Sequence, residues 1–302
     1  MIRPGVIVLA GVLVVLGACS DSSDSGGPPA PPPLLERYVL GSEDSVPEGV
    51  AFDPVERAFY ATSLQGGSIT RVSAVGEESL FRPADNRASL LGAKVDADSR
   101  RLWVCAQDVD GLDNRVWVFD LASSELVQEY LLGALVTGGN CNDLVLDDEG
   151  AAYVTDPSNP YLYRLDPATE TGSIFATDPL FAGPPGLGLN GITFNESGDA
   201  LVVAKLATQQ LLWISFPDAD VIRALELTGD ALTLPDGLVE LDGDIYSVSD
   251  NRVARTRLNA EQTGGVVVST VQRSGLSTAT LAEGELYVIK SEVFNFIIDA
   301  PL

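Results

Sequence analysis

The chain has 302 residues, of which 18 are basic and 43 acidic, so its formal net charge is −25. A surface this acidic repels nucleic acid, and the sequence has no basic cluster, so we expect no nucleic-acid partner. Histidine is absent, which excludes Ser-His-Asp and Cys-His mechanisms and the usual histidine-ligated zinc sites. Hydrophobic residues make up 45% of the chain, enough for a sizeable core.

The first 18 residues have the organisation of an export signal. Arg3 provides a positive charge, and the apolar run from Val6 to Gly17 is too short for a comfortable membrane span. The run ends in Leu16-Gly17-Ala18-Cys19, which resembles a bacterial lipobox. The resemblance implies cleavage before Cys19 and a lipid on its sulfur; the alternative is an ordinary signal peptide with an incidental cysteine. Because Ser20 follows, we expect a lipid-anchored protein of the bacterial cell envelope, with the outer membrane favoured.

A linker rich in Ser, Asp, Gly and Pro follows the signal, over residues 19–34. This composition cannot bury a core, so we expect the linker to hold the folded part away from the membrane. The sequence therefore divides into a signal peptide at 1–18, the linker with the lipidated cysteine, and one domain at 35–302.

Short β runs, separated by Gly, Pro, Asn and Asp, fill the rest of the chain and recur as a repeat. The repeat starts are spaced by 43, 51, 48, 46 and 41 residues, and each unit has room for several strands. A period near 45 residues with several short strands is typical of a β-propeller. We therefore predict an all-β fold, a six-bladed β-propeller with four antiparallel strands in each blade. The six repeats begin at Glu48, Leu91, Asn142, Asn190, Asp236 and Ser277.

The sixth repeat lacks a fourth strand, whereas a spare strand at residues 36–41 precedes the first repeat. We predict that this spare strand pairs with Phe294 to Ile298 and closes the ring, because pairing removes two exposed sheet edges. We expect a monomer.

The first strand of each blade lines the central channel, so the six repeat starts should surround one mouth of it. Glu48, Asn142, Asn190 and Asp236 would then offer a ring of oxygen ligands. Such ligands suit Ca²⁺, the expected cation, with Mg²⁺ or Zn²⁺ as alternatives. Turn chemistry explains Asn142, Asn190 and Asp236 singly. It explains Glu48 less well, and it does not explain why all four share one phase of the repeat.

A second polar set lies near the end of the second strands and should face the same mouth. Its two lysines could bind an anionic group or an oxyanion. The alternative is that they pair with nearby carboxylates and only balance charge. Together with one residue of the first ring, the possible substrate contacts are Ser63, Asp156, Lys205, Ser277 and Lys290.

Four short motifs resemble, in their order and spacing, the regucalcin/gluconolactonase family, also called senescence marker protein-like. They are Pro-Glu-Gly in the first repeat, Asn-Asp in the third, Asn-Gly in the fourth and Pro-Asp-Gly in the fifth. The resemblance runs from about Pro47 to Lys290. It implies a six-bladed propeller with a divalent cation in the channel mouth. The direct ligands would be Glu48, Asn190 and Asp236.

The resemblance also implies that Asn142 contacts metal or substrate and that Asp236 is the general base. Family members often carry an arginine two residues before the third-repeat asparagine, to hold a sugar acid, and that position is Asn140 here. The metal site therefore carries over better than a sugar-lactone substrate. The sequence favours a divalent-metal-dependent hydrolase of a lactone or related ester. A non-catalytic propeller lipoprotein that binds a small ligand, glycan or protein is the alternative.

Two cysteines, Cys105 and Cys141, remain in the predicted domain. An oxidising compartment permits a disulfide between them. Two reduced and buried thiols are the alternative, and the sequence favours neither.

Replacement of Cys19 by Ala should alter processing at the lipobox and release the protein from the membrane fraction. Immunoblots of membrane and soluble fractions, with and without a globomycin-type inhibitor, measure both effects. If the Cys19→Ala protein matures and partitions unchanged, the lipobox interpretation is wrong.

Overall fold

The computed structural model describes residues 30–41, 46–111, 113–292 and 295–299. The predicted signal peptide and Cys19 lie outside these residues. Strands account for nearly all of the regular structure, and the residues from Pro33 onwards form one compact unit. Of the helical turns described, none has the length and apolar character needed to cross a membrane.

The regular elements are short, as the frequent Gly, Pro, Asn and Asp residues predict. In chain order the strands are β1 (Arg37–Leu40), β2 (Pro47–Asp53), β3 (Ala58–Ser63), β4 (Ile69–Ser73), β5 (Glu78–Arg82), β6 (Ala88–Asp96), β7 (Arg101–Asp108), β8 (Arg115–Asp120), β9 (Leu126–Leu131), β10 (Leu144–Leu146), β11 (Ala152–Thr155), β12 (Tyr161–Asp166), β13 (Thr171–Thr177), β14 (Leu189–Phe194), β15 (Ala200–Lys205), β16 (Gln210–Ser215), β17 (Ile222–Ala224), β18 (Glu226–Gly229), β19 (Leu238–Leu241), β20 (Asp244–Ser249), β21 (Arg252–Leu258), β22 (Gly264–Gln272), β23 (Leu276–Ala282), β24 (Glu285–Glu292) and β25 (Asn295–Asp299). The two 3-10 helices are Leu132–Ala134 and Pro179–Phe181.

The described strands form six hydrogen-bonded sheets, which we number along the chain. The first four sheets are β2 to β5, β6 to β9, β10 to β13 and β14 to β17, each an antiparallel meander. The fifth contains β19 to β22 and also β18, which runs parallel to β22. The sixth contains β23, β24, β25 and β1. The prediction of an all-β propeller is confirmed.

The fifth sheet departs from the predicted four antiparallel strands. The connection that leaves β17 is long enough to lay β18 along the outer edge of β22, with Glu226 opposite Gly264. Leu225, which precedes β18, is buried and anchors the crossing between the two sheets. The prediction of four strands is therefore wrong for this sheet, because the connection itself covers an edge that would otherwise be exposed.

Apolar side chains lie between sheets rather than within one layer. The described core has six clusters, and five of them contain side chains from two sheets that are consecutive in the numbering. The remaining cluster joins the sixth sheet to the first. The alternating burial of the strands is the reason, since each sheet needs an apolar partner on both faces.

Strand β1 connects the two ends of the described chain. It pairs antiparallel with β25, and Tyr38 lies opposite Ile298. The Tyr38 side chain is buried, donates to Ala74 O at 3.0 Å and packs against the ring of Phe59 in the first sheet. One residue of the spare strand thus bonds to two different sheets.

Replacement of Tyr38 by Ala should lower the free energy of unfolding by about 3–5 kcal/mol, because a large buried ring and its hydrogen bond are removed. Val39, the next residue, is 54% exposed, so Val39→Ala is a matched control with an expected change within about 0.5 kcal/mol. Urea denaturation followed by tryptophan fluorescence measures both. A loss within about 0.5 kcal/mol in Tyr38→Ala, no larger than that of the control, would contradict a structural role for the Tyr38 ring of β1.

Candidate metal centre at the channel mouth

Glycine follows the repeat start in four of the six repeats and allows neighbouring inner strands to begin in close contact. A Cβ added at Gly92 would lie 2.8 Å from Asn142 O, and one added at Gly191 would overlap Asp236 O. The N–H groups of the same glycines donate to these carbonyls, at 2.9 Å and 2.7 Å respectively. Each inner strand therefore begins against the next one. The four glycines are Gly49, Gly92, Gly191 and Gly237.

Equivalent residues of the repeats lie at the same level of the channel, as the lining of a cavity next to the repeat starts shows. A cavity of about 270 Å³ is lined by inner-strand residues of five sheets. Five of its lining residues lie three positions after a repeat start, so equivalent residues do lie at one height. They are Lys94, Val145, Thr193, Val239 and Thr280.

Two carboxyl groups that the sequence predicts as ligands influence each other at the mouth. Burial, with a contribution from the charge of Asp143, raises the pKa of Glu48 to about 7. Burial and then the charges of Glu48 and Asp143 raise the pKa of Asp236 well above its usual range. In the described part of the chain neither Glu48 nor Asp236 has a salt-bridge partner. Such a group of carboxyls is stabilised either by protons or by a cation between them.

Oxygen atoms without partners lie beside these carboxyls. Asn190 is 4% exposed, and its side chain hydrogen-bonds to Asp236, which works against the rise in the pKa of that carboxyl. Its Oδ1 has no hydrogen-bond partner among the described residues, and neither has the buried Oγ of Ser277. A buried oxygen without a partner costs about 1–3 kcal/mol, so these atoms fit a site that a hard cation completes.

Asn142, the fourth predicted ligand, is held at its place by the backbone. Its N–H donates to Thr155 O at 3.0 Å, and its carbonyl accepts from Gly92. Within the described ranges its partly buried side chain forms no hydrogen bond. The structure thus brings all four predicted ligands to the starts of inner strands, with two of their amide oxygens uncommitted.

Asp143 is a member of this site that the sequence reasoning missed. It is 6% exposed, its Oδ1 accepts from Leu144 N at 2.8 Å, and the N–H of Ile192 also hydrogen-bonds to it. Burial raises the pKa of Asp143, while the positive charge of Lys94 in the channel lowers it. One signal was available in the sequence: an aspartate stands where four of the other repeats have the glycine.

Asp156 is predicted to contact substrate, but its carboxylate is already hydrogen-bonded to neighbouring protein groups. It is fully buried and accepts hydrogen bonds from the N–H groups of Asn140, Ser158 and Asn159. Tyr163 donates to it at 2.6 Å. Oδ1 is therefore committed to the connection between β11 and β12, and Oδ2 to the segment before β10 and to β12.

Two other members of the second polar set, Ser63 and Lys205, are hydrogen-bonded to backbone groups outside their own strands. Ser63 Oγ accepts from Val46 N at 3.1 Å and donates to Gln65 O at 2.7 Å. Lys205 is buried, and its Nζ donates to Leu180 O at 2.5 Å. Lys290 is partly buried in β24, opposite Leu276. The predicted contact of these residues with substrate stays a prediction.

Cys105 and Cys141 are both buried, and both are free thiols in the structure. Burial, with a hydrogen bond to Cys141, raises the pKa of the Cys105 thiol. Of the two alternatives left open by the sequence, the structure has the reduced and buried pair.

The described residues contain no group of three or more His, Cys, Asp or Glu side chains arranged to hold a metal ion. The candidate centre does not require such a group, because two of its four predicted ligands are asparagines. Its fit to a cation rests on mixed carboxylate and amide oxygens, the donor set that Ca²⁺ takes in proteins.

No protein-family profile matches the chain, and no curated protein matches it. Solved structures do. A gluconolactonase of Xanthomonas campestris is 18% identical, with 87% of this chain and 88% of that chain covered and a TM-score of 0.66. The chain shares the β-propeller fold of that gluconolactonase. The major allergen Mala s 1 of Malassezia sympodialis is 14% identical, with 88% and 96% covered and a TM-score of 0.69. A chain of a nidogen/laminin complex is 22% identical, with 76% and 81% covered and a TM-score of 0.60. At these identities the likeness shows the fold alone.

The metal-free protein should lose stability as the pH rises from about 5 to about 8. The folded state keeps the Glu48 proton up to a pKa of about 7, whereas an ordinary glutamate releases it near 4.5. The stabilising contribution of protonated Glu48 to the free energy of unfolding is therefore fully present below pH 4.5, and it is lost as the pH rises through 7. A shift of this size corresponds to at most about 3 kcal/mol.

Urea denaturation in EDTA at the two ends of this pH range measures the effect. Glu48→Gln should reduce the dependence, whereas Glu56→Gln, a partly exposed control, should retain it. An undiminished loss of stability in Glu48→Gln would show that Glu48 is not the titrating group.

Proposed function

We propose that the protein is a divalent-metal-dependent hydrolase that opens a lactone or a related ester at the channel mouth. The observation that carries the proposal is the pairing of two partly buried carboxyls of raised pKa with a buried amide oxygen that has no hydrogen-bond partner among the described residues. These groups belong to Glu48, Asp236 and Asn190. The fold shared with a gluconolactonase supports the reaction class.

Glu48, Asn190 and Asp236 would hold the cation, and Asn142 would complete the ligand set or contact the substrate. Ca²⁺ is the proposed ion, with Mg²⁺ or Zn²⁺ as alternatives, since all donors are oxygen. A bound divalent cation supplies Lewis-acid polarisation of the ester carbonyl. Ser277 starts the sixth repeat, and its buried Oγ has no hydrogen-bond partner among the described residues, so it would be a further candidate contact.

Asp236 acts as the general base in this proposal. Its carboxylate takes a proton from the water that attacks the carbonyl carbon. The bond from that carbon to the leaving oxygen then breaks, and the proton passes to the leaving oxygen, which gives a hydroxy acid from a lactone. The hydrogen bond from Asn190 keeps the carboxyl oriented.

The second candidate is a non-catalytic propeller that binds a small ligand, glycan or protein in the envelope. One observation favours it: two of the expected substrate contacts are engaged within the protein, since Asp156 accepts from Tyr163 and Lys205 donates to the carbonyl of Leu180. In this case the ring would bind a cation without turning over an ester.

We also propose that the six sheets are the six blades of one closed ring. The pairing of β1 with β25 and the cluster between the sixth and first sheets support closure. A monomer is the proposed state, since a closed ring leaves no inner sheet edge to pair with another chain.

The proposed location is the bacterial cell envelope, with Cys19 lipidated and the outer membrane favoured. The proposal rests on the lipobox-like sequence and the Pro-rich linker, both outside the described strands. The partners would be the membrane through the lipid and a small-molecule substrate. The acidic charge makes nucleic acid an unsuitable partner.

Asp236→Asn should weaken calcium binding by tenfold or more, because it removes one of two negative charges on the direct ligands. Asn190→Asp adds a charge to the same ring and should strengthen binding. Asp242→Asn is the matched control, since Asp242 is an exposed turn residue at the other end of β19. Calorimetric titration with calcium of all four proteins measures the affinities.

Any hydrolysis found in a screen of lactones and esters should fall with calcium affinity in Asp236→Asn. The wild-type melting temperature should rise with calcium more than that of this variant, by mass action on the folded state. Equal calcium affinities and equal rises in melting temperature in wild type, Asp236→Asn and Asn190→Asp would contradict the proposed metal ring. Asp236 would then be only a turn residue.

A further inference from the structure

The two cysteines of the propeller have no part in the proposed hydrolysis, and the fold brings them to one place. Cys105 lies in β7, the second strand of the second sheet, and Cys141 directly precedes Asn142 at the start of the third repeat. Both side chains are fully buried, and both belong to the apolar cluster between these two sheets. The third cysteine of the chain is Cys19, in the predicted lipobox. Within the propeller, one pairing is therefore available.

The face of β7 that carries Cys105 points towards the third sheet. Side chains alternate along a strand, so Trp103, Cys105 and Gln107 share one face. Trp103 and Cys105 pack in the cluster between the second and third sheets, whereas Val104 packs in the cluster between the first and second. Cys141 belongs to the former cluster, so it lies on the side to which Cys105 points.

Two hydrogen bonds hold Cys141 against this face of the second sheet. Gln107 Nε2 donates to Cys141 O at 2.8 Å, and Cys141 Sγ donates to Arg115 O at 3.3 Å. Arg115 belongs to β8, where it lies opposite Ala106, the residue after Cys105. The backbone of Cys141 is thus held by the second residue after Cys105, and its thiol by a strand position next to Cys105.

The structure holds both thiols reduced and in contact with each other. Burial, and then a hydrogen bond to Cys141, raise the pKa of the Cys105 thiol. Because the proton of Cys141 is donated to Arg115 O, Cys105 is the donor in this bond. The two side chains therefore point towards each other, which is the condition that a disulfide requires of its cysteines.

We propose that Cys105 and Cys141 form a disulfide when the chain folds in an oxidising compartment. The bond joins β7 to the residue before Asn142, so it ties the second sheet to the start of the third. In the proposed envelope location the oxidant is a protein or small-molecule disulfide. The inference depends on that location only for the source of the oxidant, and it does not depend on the hydrolase.

The reaction consists of two thiol–disulfide exchanges. The thiolate of one cysteine attacks a sulfur of the oxidant, forms a mixed disulfide and releases the other sulfur of the oxidant as a thiol. The second cysteine attacks the protein sulfur of the mixed disulfide, which forms the Cys105–Cys141 bond and releases the remaining thiol. Two protein thiols are oxidised, one oxidant disulfide is reduced to two thiols, and the two protons pass to them. Because both thiols are buried in the folded protein, the exchange precedes closure of the cluster around them.

The test is refolding of the Cys19→Ala protein, which has no third thiol, from urea in a buffer of reduced and oxidised glutathione. The remaining thiols are then blocked with iodoacetamide in urea, before trypsin digestion and mass spectrometry. Trypsin places the two cysteines in separate peptides, residues 102–115 and 116–164. We expect these peptides as one linked species that separates on reduction.

The linked protein should melt roughly 10 °C above the same protein kept in dithiothreitol, because the bond restricts the unfolded chain. Cys105→Ala in the same background is the matched control, and it should melt at one temperature in both buffers. Because each protein is compared with itself, the packing change that the substitution causes does not enter the result.

The outcomes are distinct. Refolded protein in which both cysteines carry the iodoacetamide label would overturn the inference, and the pair would serve packing alone. Linkage between two chains in place of linkage within one would also overturn it. Equal melting temperatures of the linked and the reduced protein would contradict the tie between the two sheets. Neither calcium nor an ester is present in these measurements, so failure of the proposed function would leave their results unchanged.

Discussion

Contact between the first residues of neighbouring inner strands determines how close the ring residues come to the axis. Glycine at four of these positions is required, since a Cβ at Gly49 or Gly191 would overlap the carbonyl of the next repeat start. Each carbonyl that such a Cβ would overlap also accepts a hydrogen bond, so the distance between the neighbouring strands is fixed. The residue just before each glycine is thereby held at the mouth, whatever its side chain.

This placement brings several carboxyl groups close together at the mouth of the channel. Burial, and then the charges of neighbouring carboxyls, raise the pKa values of Glu48 and Asp236, and the charge of Lys94 lowers the pKa of Asp143 between them in the chain. In the same place, the buried amide oxygen of Asn190 has no hydrogen-bond partner in the described part of the chain. These carboxyls and this amide oxygen lower the stability of the folded protein. Such groups with perturbed pKa values are more typical of functional sites than of structural ones.

The features that recur in every repeat could be predicted from the sequence, whereas features of single loops and single residues could not. The common phase of the inner strands follows from the repeat, because equivalent residues of five sheets line one cavity. The position of Asp143 depends on which of two adjacent residues turns inward, and the sheet alternation is broken by a bulge there in several repeats. Strand β18 and the loop bonds of Asp156 depend on connections, whose paths the repeat does not determine.

The central claim is that a cation occupies the axis of the ring. A crystal structure of protein grown with calcium, with the anomalous signal used to locate the ion, tests it most directly. We expect one peak on the channel axis, about 2.3–2.6 Å from side-chain oxygens of Glu48, Asn190 and Asp236. A map with no peak there, or with calcium bound only by surface carboxylates, would contradict the account.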